Sequence, residues 1–265
     1  MIMKAKITSY LPTECPWRDT LYWYDTIDST NTRAKELARD GAAHGSVLIA
    51  KQQTAGRGRM GRSFHSPAAD GLYLSVILRP GCKPAQLMHL TCAVAVAVCD
   101  GMEKVTGFRP GIKWINDLVA NKRKLGGILT ELSIDPVTQL VDFAVVGIGI
   151  NCFQSQFPQE LKEIAISLEA ATGIKANFAQ LTAAIIQSLW QMDQSLLSQK
   201  EQIMAQYKAD CITLGQDVAL LRGEEKRCGT ALDIDNDGQL IVRFAEGQVE
   251  AVNSGEVSCR DLYSI

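Results

Sequence analysis

A chain of 265 residues with 27 basic and 29 acidic side chains carries a formal net charge of only −2, which excludes a global field for nucleic acid or an anionic membrane and makes any anion site local. Its composition, 46% apolar and 21% charged, is that of a globular protein and excludes disorder or a fibrous repeat. The length allows one large domain and a small one. Met1 to Ser9 lacks the apolar run of a signal peptide, and no segment approaches the ~18 uninterrupted apolar residues of a membrane span. Eight scattered cysteines form no C-x-x-C pair, and the expected location is the cytoplasm.

Residues 1–18, with Pro12, Pro16 and no clear period, read as an irregular lead-in too short for a helix-turn-helix module. Leu21 to Tyr24 is expected as a strand. Asp28-Ser29-Thr30-Asn31 supplies N-cap residue types ahead of Ala34, Leu37 and Ala38, which share one helical face. Ser46 to Ala50 and Leu72 to Leu78 are expected strands around a Gly- and Arg-rich loop. From Pro84 to Val105, Leu87, Leu90, Val94 and Val98 recur at helical spacing, with Ala and Cys on the other faces, which predicts a mostly buried helix. Gly111 to Trp114, Gly127 to Ile134 and Leu140 to Ile150 predict an antiparallel meander with turns at Asn121-Lys122 and Asp135-Pro136. Helices are expected near Pro158 to Thr172 and from Phe178 to Tyr207, the second with Leu181, Ile185, Leu189, Met192 and Leu196 in register. Short apolar runs at Val218 to Leu221, Thr230 to Ile234, Leu240 to Phe244 and Val249 to Val252 predict a small β-barrel. The boundary falls near Asp210, giving a large unit over residues 1–209 and a small one over 210–265.

The most unusual segment is Gly56-Arg57-Gly58-Arg59-Met60-Gly61-Arg62. It contains G-x-G-x-x-G, but Ser63-Phe64-His65-Ser66-Pro67 is a poor helix, so a dinucleotide fold is not supported. Guanidinium groups on a glycine-rich loop suit a polyphosphate or phosphoanhydride, and a solvated charged turn accounts for the composition equally well. Two further segments shift that balance. Lys113-Trp114-Ile115-Asn116-Asp117 ends a strand with a cation and a carboxylate, and Lys124-Leu125-Gly126-Gly127 sets a lysine beside glycines that permit close approach of a ligand. Gly147-Ile148-Gly149-Ile150-Asn151 ends an apolar strand in glycines and an amide.

Together these segments resemble biotin-protein ligases, also called biotin-[acetyl-CoA-carboxylase] ligases, from about Tyr22 to Arg260. The family's D-S-T-N, G-R-G-R-x-G-R, K-W-P-N-D, K-L-x-G-I-L-x-E and G-I-G-x-N stand in that order at Asp28–Asn31, Gly56–Arg62, Lys113–Asp117, Lys124–Glu131 and Gly147–Asn151. Ile115 departs from the usual proline and Phe64 from a common tryptophan. The resemblance implies an α+β fold: a mixed, largely antiparallel sheet with flanking helices, like a class II synthetase catalytic domain, plus a small C-terminal SH3-like β-barrel. It also implies that biotin and ATP with Mg²⁺ form biotinyl-5'-AMP. The biotinyl group then passes to a lysine of the biotin carboxyl carrier domain of a carboxylase such as acetyl-CoA carboxylase. Neither nucleic acid nor membrane is an expected partner, and whether the chain forms a homodimer stays open.

The same resemblance assigns Ser29, Thr30, Asn31, Gln53, Arg57, Gly58, Arg59, Lys124 and Gly127 to biotin. It assigns Arg57, Arg59, Arg62, Phe64, Lys113, Asn116, Asn151 and Arg260 to the nucleotide. Arg59, Lys124 and Asp117 are the implied catalytic residues, with Asp117 also the implied Mg²⁺ ligand or proton acceptor. Ser29, Thr30 and Asn31 would serve equally as helix caps. A lipoate- or octanoate-protein ligase would lack the G-R-G-R-x-G-R loop. A biotin-sensing repressor would need a DNA-reading module, and a mere binding protein would not need the full set of Arg and Lys positions.

Overall fold

The computed structural model describes residues 2–68, 70–153, 157–222, 225–253 and 256–259. Strands β1 (Leu21–Tyr24), β2 (Ser46–Ala50), β3 (Gly71–Leu78), β4 (Gly111–Lys113), β5 (Asp117–Ala120), β6 (Arg123–Ile134) and β7 (Val141–Asn151) form one sheet in the order β1-β2-β3-β7-β6-β5-β4. Only β1 and β2 run parallel; the remaining neighbours are antiparallel, so the sheet is mixed and largely antiparallel, as expected.

Successive side chains of a strand point to opposite faces, and the two faces of this sheet differ. On one, Val146, Ile148 and Ile150 of β7 join a core with α3 (Leu90–Thr106) and α5 (Phe178–Ser195). The Ala and Cys positions of α3 let it be buried nearly all round, and at Gly101 the two helices approach so closely that a Cβ would lie 2.7 Å from Ile185 Cα. Pro84–Thr106 is apolar and long enough to cross a membrane by composition, but it is mostly buried in this core. On the other face, α2 (Thr30–Arg39) packs Ala34 and Ala38 on Leu48, Ile77, Phe143 and Val145. A helix of 10 residues is only ~15 Å long, so it covers part of the face: Asn31 in its first turn lies on Gly147, and Gly149 faces Phe64 instead.

Several expectations need correction. The lead-in expected as irregular over residues 1–18 holds a helix: α1 (Ile2–Tyr10) docks on α5 through Met3 and the fully buried Ile7, a tertiary contact that its weak periodicity does not announce. The expected helix from Pro84 is a 3₁₀ turn, Pro84–Leu87, followed by α3. The meander has an additional strand, β5, joined to a longer β6 through Asn121 (φ 49°) and Lys122 (φ 62°), the two positive-φ positions of a tight hairpin. Near Pro158 to Thr172 only α4 (Leu168–Thr172) is α-helical. The single helix expected from Phe178 to Tyr207 is two, α5 and α6 (Lys200–Asp210). Nothing in Ser195–Gln199 forbids a helix. The chain turns there because Leu196 O accepts a hydrogen bond from buried His89 Nε2 at 2.9 Å and α6 packs back on α3.

The C-terminal strands β8 (Asp217–Arg222), β9 (Glu225–Ile234), β10 (Leu240–Phe244), β11 (Val249–Val252) and β12 (Glu256–Cys259) form a separate antiparallel sheet in the order β11-β10-β9-β8-β12. Val218, Ala231, Leu240, Val242 and Phe244 continue the same apolar core that α3 occupies.

Gly101→Val should overpack the α3–α5 crossing and destabilise the protein by about 1–3 kcal/mol, seen as a lower thermal midpoint.

Candidate active site

The uncovered part of the second sheet face forms a cavity of about 190 Å³. Its floor is β7. Gly147 faces Asn31, whose Oδ1 would lie 2.0 Å from a Cβ there, and Gly149 faces the Phe64 ring, 2.6 Å from a Cβ. Any side chain at either position would expel its neighbour. Phe64 rests edge-on against Tyr73, with ring centroids 6.4 Å apart.

One end of the cavity is lined by neutral polar groups at the N-terminus of α2. Ser29 caps the helix by accepting from Thr32 N at 3.4 Å. Thr30 donates to Gln53 Oε1 from its backbone N at 2.8 Å and from Oγ1 at 3.0 Å, and Gln53 Nε2 donates to Ser66 Oγ at 3.0 Å. Ser75 Oγ, on the adjacent strand, lies 2.8 Å from Thr30 Oγ1 and 2.6 Å from Asn31 Oδ1. Capping and lining are therefore both done by this tripeptide.

Glu131 anchors that end from below. It accepts from Asn31 Nδ2 at 3.0 Å and pairs with Lys35 at 2.7 Å and Arg57 at 3.8 Å. Burial pulls its carboxyl upward, but the hydrogen bonds from Lys35 and Asn31 outweigh this and hold it below the ordinary carboxylate range.

The other end is cationic. Among the described lining residues are Arg57, Arg59, Arg62, Lys113 and Lys124, against the single carboxylate of Asp117. The arginine loop is a narrow ladder: Gln53 N bonds Ser66 O, Phe64 N bonds Gly56 O, and Gly58 N bonds Arg62 O at 2.7 Å. Gly56 fits because a Cβ would meet Phe64 O at 2.4 Å. The ladder turns Arg59 inward, where Nη1 donates to Asn116 Oδ1 at 3.0 Å. Burial lowers the Arg59 pKa, opposed by Asp117 and Tyr207; a guanidinium stripped of water gains most from an anionic ligand. Lys124 Nζ pairs with Asp117 Oδ1 at 2.7 Å beside Gly127, and Lys113 is only 4% exposed.

The structure thus gathers every expected site residue among those described; Arg260 lies outside the described residues. Asn151 also ties the framework, its Nδ2 reaching Ile166 O at 3.4 Å and Lys124 O at 3.5 Å. Sequence reasoning missed the segment from Phe157 to Ala165, which closes one wall with Phe157, Leu161 and Ile164. It holds Lys124 by its backbone, through Lys124 N to Ile164 O at 2.7 Å and Ile166 N to Lys124 O at 2.9 Å. No residue pattern marks that segment. Trp114 and, from the second sheet, Val257 were missed as well.

Two family models match the chain: the biotin/lipoate A/B protein ligase family over residues 23–151, and the biotin protein ligase C terminal domain over residues 213–260. The bifunctional ligase/repressor BirA of Bacillus subtilis is 33% identical over 259 residues, 97% of this chain and 78% of that protein. The biotin--[acetyl-CoA-carboxylase] ligase of Mycobacterium tuberculosis is 33% identical over 235 residues, 86% of this chain and 85% of that one. A solved structure, biotin protein ligase from Aquifex aeolicus in complex with biotin and ATP, matches with a TM-score of 0.77 at 30% identity, covering 91% of this chain and 98% of that chain.

Because the folded-state pKa of Glu131 is depressed, its contribution to stability is present above the ordinary glutamate value of about 4.3 and is lost as pH falls through the lower folded value. Thermal unfolding from pH 7 to 3 should show Glu131→Gln less stable than the parent at pH 7, with the gap closing at the acid end.

Proposed function

This chain belongs to the biotin/lipoate A/B protein ligase family, and we propose how its pocket divides the work of joining biotin to a carrier protein. The protein is an ATP-dependent biotin protein ligase: it forms biotinyl-5'-AMP from biotin and MgATP, then transfers the biotinyl group to a lysine. The observation that carries the division of work is the polarity of one cavity, with neutral hydrogen-bonding groups at the α2 end and five cations at the other.

Biotin is a neutral ring system with a carboxylate tail, and it lies along that gradient. Ser29, Thr30, Asn31 and Gln53 receive the ureido end, because amide and hydroxyl groups match a neutral donor and acceptor pair without the cost of burying charge. Gly58 and Gly127 leave room for the chain, and Arg57, Arg59 and Lys124 meet the carboxylate. Arg62, Lys113, Asn116 and Asn151 take the nucleotide, with Phe64 presenting an aromatic edge. Among the described residues no three His, Cys, Asp or Glu side chains gather as a resident metal site, so Mg²⁺ fits as part of the nucleotide substrate. Asp117 is the carboxylate available to it, since Mg²⁺ commonly takes one or two protein carboxylates besides phosphate oxygens. When bound, the ion neutralises phosphate charge.

In the first step a carboxylate oxygen of biotin attacks the α-phosphorus, and the bond to pyrophosphate breaks. Charge builds on phosphate oxygens, where Arg59, already desolvated, and Lys124 stabilise it. In the second step the acceptor lysine attacks the acyl carbon, AMP leaves, and the amine gives up a proton. Asp117, 2.7 Å from Lys124 Nζ at the cationic end of the cavity, receives the proton. The acceptor is the biotin carboxyl carrier domain of a biotin-dependent carboxylase, as the names of the relatives suggest. We place the enzyme in the cytoplasm, which its eight free cysteines support. Homodimer formation is a further proposal, tested by molar mass in solution.

The deciding experiment is pyrophosphate release from MgATP with biotin, lipoate or octanoate supplied separately, followed by transfer to a purified carrier domain. Release with biotin alone and labelling of one lysine is the expected result; release only with lipoate or octanoate would overturn it. Lys124→Ala should lower pyrophosphate release by on the order of 10²- to 10³-fold. Arg59→Gly should release the adenylate early, so that lysines outside the carrier domain become labelled in mass spectra.

A further inference from the structure

We propose that Trp114 is a positioning residue for adenylate formation, through which the C-terminal sheet holds the Lys113–Asp117 turn in register with Arg59 and Lys124. The inference rests on the reading of the cavity as the adenylation site. Trp114 is 4% exposed and lines the cavity, yet both of its N–H groups are spent outside it. The backbone N–H donates to Thr213 Oγ1 at 2.9 Å, and the indole Nε1–H donates to Gly238 O at 2.9 Å, in the turn between β9 and β10. The next carbonyl, Ile115 O, accepts from Tyr207 OH at 3.1 Å. Within three residues the chain then presents Asn116 to Arg59 and Asp117 to Lys124, at 3.0 and 2.7 Å. The groups that aim both cations are thus fixed by contacts with α6, with Thr213 and with the second sheet.

The far end of this connection is itself stiff. Asp235 Oδ1 accepts from Asp237 N at 2.9 Å and Gln239 N at 2.8 Å, which closes the turn around Gly238. Gly238 has φ 82°, a conformation that favours glycine, and a Cβ there would lie 2.9 Å from Cys92 Sγ on α3. Lys208 pairs with Asp233 at 2.8 Å, and Lys200 pairs with Asp237, so α6 pins both sides of the same hairpin. The hairpin therefore cannot shift without α3 or α6 moving, and the Gly238 carbonyl is a fixed acceptor for the indole. The biotin end of the cavity is tied elsewhere, to Ser75 and Glu131. Disturbing the indole bond should consequently weaken the nucleotide step more than biotin binding, which meets Arg59 and Lys124 only through its carboxylate.

Trp114→Phe keeps an aromatic ring and removes the N–H; Gly238→Ala acts on the same bond from the second sheet. For Trp114→Phe, kcat/KM for MgATP in biotin-dependent pyrophosphate release should fall by at least about tenfold, since small displacements of positioned groups are costly. Biotin affinity by calorimetry without nucleotide should fall by clearly less than the MgATP kcat/KM, and the double variant should be no worse than the worse single one, as expected for residues acting through one contact. Equal losses in biotin binding and MgATP turnover, additive effects, or a lower thermal midpoint with unchanged kinetics would each overturn the proposal. A parent enzyme that releases no pyrophosphate with biotin would instead overturn the reading of the cavity.

Discussion

Strand β7 has to satisfy two demands that oppose each other. One face must supply bulk to a core, and the other must come close enough to a ligand that almost any side chain is excluded. The two-residue period of a strand reconciles them. Val146, Ile148 and Ile150 fill the space under α3, while Gly147 and Gly149 leave room for Asn31 and Phe64 to lie on the backbone itself. A slip of one residue would put glycine in the core and isoleucine in the cavity. The pairing of β7 with β3 over Gly71–Leu78 and with β6 over Gly126–Ile134 fixes the register against that slip.

From this strand the rest of the site is assembled by elements that are distant in sequence. The short α2 ends where the glycines begin, so its capping residues become the polar end of the cavity. The arginine loop arrives from β2, the Lys113–Asp117 turn from the sheet edge, and Lys124 from a hairpin whose backbone is held by the segment before α4. Neither Arg59 nor Lys124 is placed by its own side chain alone. Arg59 is aimed by Asn116, Lys124 by Asp117 and by two backbone bonds, and the turn carrying both partners is held by Trp114.

The electrostatics follow from this crowding. Several cations share one wall with a single carboxylate among the described lining residues, which is an unfavourable arrangement until an anion arrives. Burial already weakens the hold of Arg59 on its proton. The fold meets that cost through the core under α3 and the hydrogen-bonded frame around Glu131, and it is relieved when phosphate binds. A site built this way has greater affinity for the charged end of its substrates than for water.

The sequence by itself determined the chemistry of the cavity and most of its floor. Gly56–Arg62, Lys113–Asp117, Lys124–Gly127 and Gly147–Asn151 are legible because each needs particular residue types at fixed spacing, and strands such as β1, β2 and β3 follow from local pattern. Tertiary structure alone decided what local pattern does not encode. Residues 2–10 are helical because Ile7 finds a place on α5, and Phe178 to Tyr207 breaks at Leu196 because His89 and α3 reward the turn. Phe157 and Ile164 belong to the site because long-range packing brings them there. Apolar residues look alike in sequence whether they end in a core or against a ligand. The free energy that distinguishes the two comes from contacts between segments, and these exist only once the chain has folded.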